Sequence, residues 1–174
     1  TEAAYDGLPS LSVEMQEHYD LTLKAAGTLR ALRYRDRDRQ GQPATTMHAG
    51  KTGCAATWFW DTAVTLPGLG ILQERPAAAG ALRILIEGIA DDGRPCVTYE
   101  NGAYRHYGYQ MPILAWGAGH FLASCPDDAL LSEIYPALCR YVRHWLDNFM
   151  SPWGVVYHPP GPNCLDDALR WQNE

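Results

Sequence analysis

Apolar residues recur every three to four positions along most of this chain, a spacing that predicts helices. Between Val13 and Arg33 the repeating face is Met15, Tyr19, Leu23, Ala26 and Leu29 or Arg30, with Ser12 as the N-cap. Asp61 to Gln73 reads as a short helix broken by Pro67, Gly68 and Gly70. Pro76 stands in the first turn of another helix, Ala77 to Ala90 continue it, and Asp91-Asp92-Gly93 supplies the turn that ends it. Pro112 to Ala123 reads as an apolar helix, in which Gly117 and Gly119 are expected to permit close packing. Asp127 to Phe149 reads as a longer, amphipathic helix whose stripe is Leu131, Ile134, Leu138, Tyr141, Val142 and Trp145. Ser151-Pro152-Trp153-Gly154 breaks it, and Asp166 opens one more helix. The polar stretch from Asp36 to Thr57 reads as a loop. Cys96 to Tyr99 is short and extended in character, but one such piece does not make a sheet. With no alternation of strands and helices, the expected class is all-α, in a single domain over 1–174.

Composition narrows the partners. Hydrophobic residues make up 47% of the chain, enough to fill a core, and the net charge is −6. The one basic stretch, Arg33 to Arg39, alternates with aspartates, so nucleic acid is not an expected partner. No apolar run reaches the ~20 residues of a membrane span, so no membrane association is expected. Cys54, Cys96, Cys125, Cys139 and Cys164 form no CxxC pair, which favours free thiols over a disulfide framework. No leader pattern opens the chain, so the cytoplasm is the expected compartment; the first residue is Thr1, and trimming would change this to the periplasm or the exterior. The six histidines show no metal-ligand spacing, and no phosphate or dinucleotide fingerprint is present, so no metal or cofactor is expected.

Three places join aromatic residues to an acid or amide at the start of a predicted helix. They are Trp58-Phe59-Trp60-Asp61, Tyr107-Gly108-Tyr109-Gln110, and Leu165-Asp166-Asp167 with Arg170-Trp171. Asp61 and Gln110 are 49 positions apart, and Gln110 and Asp166 are 56 apart. Each interval holds one helical hairpin, and successive hairpins return the chain to the same end of an array. The three clusters then meet at one mouth, as in the binding cup of an α/α toroid. Three unrelated helix N-termini, with the aspartates as caps and the aromatics as core, fit the same residues.

The chemistry of these side chains suits carbohydrate. Indoles stack on the C–H faces of sugar rings, Asp61 can accept hydroxyl hydrogens, and the Gln110 amide can both donate and accept. On a helix, Asp166 and Arg170 share a face; the guanidinium lowers the carboxyl pKa, while burial beside Trp171 raises it. A general acid working near neutrality needs burial to win.

Four segments carry a resemblance to glycoside hydrolase family 63, which includes processing α-glucosidase and mannosylglycerate hydrolase, and to the related family 37 trehalases. Trp58 to Ala63 resembles a W-F-W-D motif. Tyr109 to Trp116 resembles a Q-P-P-hydrophobic-L-A-W segment, with Met111 in place of the first proline. Tyr135-Pro136-Ala137-Leu138 followed by Trp145-Leu146 resembles a Y-P-x-L…W helix. Leu165 to Trp171 resembles the acid motif G-M-D-N-S-P-R-W, with Asp167-Ala168-Leu169 in place of Asn-Ser-Pro. These motifs run from about Thr57 to Trp171.

The resemblance implies an (α/α)6 barrel and inverting hydrolysis of an α-linked glucoside or mannoside. Asp166 is then the general acid, Arg170 orients the substrate, and Trp58, Trp60, Asp61, Tyr107, Gln110 and Trp171 hold the sugar. Such a toroid has twelve helices and needs roughly 300 residues, so about half of it is expected in this chain. The base that activates water is expected outside the chain, with the remaining hairpins as its partner. Two other functions compete: a sugar epimerase or lyase on the same toroid, with His106 and Tyr107 or Tyr109 as proton carriers, and a non-catalytic helical module that binds carbohydrate or protein.

Overall fold

The computed structural model describes residues 16–37, 43–48, 56–100, 102–106 and 110–157. These residues are mostly helical. Five helices are present among them: α1 (Gln16–Ala31), α2 (Phe59–Ile71), α3 (Arg75–Glu87), α4 (Ile113–Ser124) and α5 (Asp128–Phe149). The helix predicted over 13–33 is therefore shorter at its described C-terminal end. Ser12 and the helix predicted from Asp166 lie outside the described residues.

The all-α expectation needs correction, because two small antiparallel sheets are present. Strands β1 (Arg33–Arg37) and β2 (Pro43–Met47) form a hairpin, with Arg33 opposite Met47 and Arg37 opposite Pro43. Strands β3 (Thr57–Trp58), β4 (Thr98–Glu100) and β5 (Ala103–Arg105) form a second sheet in that order, with β4 in the middle. The stretch from Asp36 to Thr57 is thus not all loop. Thr46 and Met47 of β2 are buried, so the hairpin packs against the helices despite the charged composition of β1. Cys96 to Tyr99 does find strand partners, because the chain turns at Gly102 (φ +80°) and pairs back on itself.

Pro67, Gly68 and Gly70 do not break α2. Pro67 has no N–H, so the Ala63 carbonyl loses its usual donor four residues on. Helix α4 covers that carbonyl with Gly117: a Cβ built on Gly117 would lie 2.2 Å from the Ala63 oxygen. The glycine Cα–H thus faces the freed acceptor, a weak but favourable contact. Gly119, by contrast, meets nothing within 4 Å and has no such role.

The helices form two hairpins whose corresponding members run parallel. Ala63 of α2 lies against Gly117 of α4, and Gly70 lies against Phe121 and Ser124, so position rises together along both helices. The lower ends are tied by Gln73, whose amide donates to the carbonyls of Gly70 (3.1 Å) and Ser124 (3.3 Å). Helices α3 and α5 are likewise parallel: Arg83 pairs with Glu133 at 2.8 Å, and the later Gly93 packs against Arg140 and His144. Helix α3 carries its proline in the first turn, and α5 is capped by Asp127, which accepts from the Leu130 N–H at 2.9 Å. The core between the hairpins includes Phe59, Leu66, Leu82, Leu85, Leu114, Phe121, Ile134, Tyr141 and Trp145. Helix α1 is pinned to the α2–α3 corner by Arg30 and Arg33, at 2.8 and 2.9 Å from the Glu74 carboxylate.

Cys96, Cys125 and Cys139 are free thiols. Burial pushes Cys96 up to about 12, and Cys125 is also buried, its Sγ 3.3 Å from the Gly70 carbonyl. Among these three, Cys139 alone is partly exposed. Brief treatment with iodoacetamide at neutral pH is expected to label Cys139 while sparing Cys96 and Cys125, as read by peptide mass spectrometry. Equal labelling of all three in folded protein would contradict this packing.

Candidate functional site

The parallel packing of α2 and α4 sets both of their N-termini at one end of the molecule. Trp58 closes β3 with extended backbone (φ −87°, ψ 131°) and hands the chain directly to α2. The Phe59 N–H donates to the Val97 carbonyl at 3.0 Å, so the helix start is anchored to the three-stranded sheet. Trp58, Trp60 and Asp61 are all half-buried. Asp61 sits in the first turn of α2, where the helix dipole favours a negative charge. It does not cap the helix, and among the described residues no hydrogen bond or ion pair engages its carboxylate.

Gln110 approaches from the other helix. It is 9% exposed and lies just before the first turn of α4, which begins at Ile113. Tyr141 of α5 joins the two helix starts. Its hydroxyl donates to the carbonyls of Gln110 (3.4 Å) and Met111, and its ring meets Phe59 edge-on with centroids 5.4 Å apart. Burial holds the Tyr141 phenol well above its ordinary pKa, so it remains a donor. Two of the three clusters predicted to converge, Trp58–Asp61 and Gln110, therefore share one end. Tyr107, Tyr109, Asp166, Arg170 and Trp171 lie outside the described residues.

His106 is exposed, and its Nδ1 lies 3.2 Å from the Pro95 carbonyl at the edge of the sheet. Among the described residues, the hydroxyls of Thr46 and Thr57 and the indole N–H of Trp58 are buried with no hydrogen-bond partner. Among the described residues, no group of three or more His, Cys, Asp or Glu side chains is placed to hold a metal ion. Nor is any helix among them long and apolar enough to cross a membrane.

No protein-family model matches this chain, and no curated protein matches it either. The arrangement of the side chains is therefore what speaks to function.

Sequence reasoning missed two tyrosines at this end. The sequence shows Tyr141 only as one position of an apolar stripe, yet a hydroxyl in such a stripe requires a buried acceptor. Tyr104, from β5, places its hydroxyl 3.0 Å from the Ile84 carbonyl and 3.1 Å from Glu87, binding the sheet to α3. Burial, with the Glu87 carboxylate adding to it, raises the Tyr104 phenol far above its usual value.

Proposed function

We propose that this chain belongs to an α/α-toroid glycosidase that hydrolyses an α-linked glucoside or mannoside with inversion. One observation carries the proposal: α2 and α4 run parallel, so Trp58, Trp60, Asp61 and Gln110 meet at one end across a 49-residue interval. Repeated helical hairpins with parallel inner members are what a toroid requires. The far flank of α4 supports the same architecture. Ala115, Ala118, Gly119 and Leu122 face Leu131, Tyr135 and Leu138 of α5 across an open apolar groove of about 400 Å³. Trp116 of the same helix is half exposed. Helix α4 is apolar nearly all round yet covered by α2 on one side, and a further hairpin of the same array is the occupant that completes it.

In this assignment the indoles stack on the sugar ring, while Asp61 and Gln110 bind its hydroxyls. Asp166, brought by the acid-motif resemblance, protonates the leaving oxygen, and Arg170 and Trp171 set its surroundings. No residue of the four motifs corresponds to the water-activating carboxylate. In an inverting pair that group stands about 6.5–9.5 Å from the acid, leaving room for the water.

The decisive experiment follows hydrolysis of α-glucosides and α-mannosides by the full-length protein with proton NMR. The first-formed sugar is expected to be the β-anomer. An initial α-anomer, an isomerised or unsaturated sugar, or no release from any member of the panel would overturn the assignment. Asp61→Asn is expected to raise KM by about tenfold or more, the cost of losing a charge-assisted hydrogen bond, with a smaller change in kcat.

A further inference from the structure

We propose that Trp153 is a stacking platform for a sugar ring of the substrate lying beyond the two rings joined by the cleaved bond. The inference rests on the glycosidase reading above and extends the site along an oligosaccharide chain. Three observations bear on it.

Trp153 is 89% exposed, the most exposed of the large apolar side chains described. It lies at the tip of a tightly built arm. Met150 bridges Val156, the Ser151 N–H donates to the Val155 carbonyl at 2.8 Å, and the Gly154 N–H donates to the Ser151 carbonyl at 2.9 Å. The Ser151 hydroxyl accepts from the Val155 N–H at 3.1 Å, and Gly154 supplies the positive φ (+77°) that the turn needs. The arm is rooted by Tyr157, whose ring meets Phe149 edge-on at 6.0 Å, with Phe149 in turn against Trp145 at 4.9 Å. A rigid scaffold thus holds one indole in water, where it contributes almost nothing to the core.

The arm also stands at the end that carries the candidate site. Tyr141 is level with Met111 at the start of α4. From there α5 continues for eight residues to Phe149, about 12 Å at 1.5 Å per residue, before the arm begins. Along the axis of α5 the arm therefore lies beyond the level of the helix starts bearing Asp61 and Gln110. Its neighbours Met150, Val155 and Tyr157 are exposed as well. Exposed apolar surface on an ordered element marks a binding surface, and a flat indole beside a sugar-binding end fits the C–H face of a pyranose ring.

The test compares the full-length enzyme with Trp153→Ala and Trp153→Phe on disaccharide and tetrasaccharide substrates sharing one scissile linkage. Trp153→Ala is expected to raise KM for the tetrasaccharide about tenfold with kcat unchanged, and to leave the disaccharide unaffected. Trp153→Phe should stay within about threefold, because an aromatic face remains. Both variants should melt with the wild type, as the side chain is solvent-exposed. Equal effects on short and long substrates, or no effect on either, would overturn the inference while leaving the hydrolytic assignment standing. If the wild type cleaves no α-glycoside, that assignment fails by itself, and fluorescence titration with the tetrasaccharide then decides. A saturable emission change lost in Trp153→Ala supports the platform, and no change in the wild type overturns it.

Discussion

Replacing Asp166 with asparagine is expected to lower kcat on ordinary α-glycosides by about 10²–10⁴, the usual contribution of a positioned general acid. KM should change little, because protonation of the leaving oxygen matters in the transition state rather than in the bound ground state. The loss should depend on the leaving group. A glycosyl fluoride departs without proton donation, so it should retain most of its rate in Asp166→Asn, while an alkyl or sugar leaving group should not. Steady-state kinetics on such a pair separates loss of the acid from general damage. Near-normal turnover of every substrate in the variant would remove Asp166 from the chemistry.

The second large effect concerns the helix contact that aligns the site. Gly117→Ala adds one methyl group and on helix propensity alone should stabilise by about 1 kcal/mol. Its Cβ, however, would lie 2.2 Å from the Ala63 oxygen, a backbone atom that cannot swing aside. Helices α2 and α4 must separate, and the expected net loss is about 3 kcal/mol, equivalent to a fall in melting temperature of about 6–12 °C. Gly119→Ala, two residues on and facing open space, keeps the propensity gain and should raise the melting temperature. Opposite signs from the same substitution on one helix are the signature of this packing. Equal shifts in thermal denaturation would mean that α2 and α4 do not approach so closely.

The helices were largely legible because their signals are local. Pro76 in a first turn, Asp127 as a cap and the long stripe through Ile134, Tyr141 and Trp145 each act within a few residues and mark α3 and α5 well. Pro67 misled for the opposite reason. Its cost falls on the Ala63 carbonyl, and the compensation comes from Gly117, 54 positions away, which no local pattern reveals. The strands were missed because they are short and their partners are remote: Trp58 pairs with Thr98. In β1 the run Arg33-Tyr34-Arg35-Asp36-Arg37 is charged at four of five positions, which hides any apolar strand period. For the site, the regular interval between Asp61 and Gln110 anticipated a shared end, and the parallel helices give it. The tie between them was not foreseen, because Tyr141 looks like any other core position.

That tie shifts control of the site to a residue outside it. One phenol on α5 contacts the starts of both helices, so the gap between the aspartate and the glutamine is gauged by a helix lending neither of them. Tilting α5 by a small angle would change the spacing of the two helix starts without altering Asp61 or Gln110 themselves. If the proposed sugar site is built on these helix starts, its selectivity for guest size can therefore drift through changes on the outer layer alone.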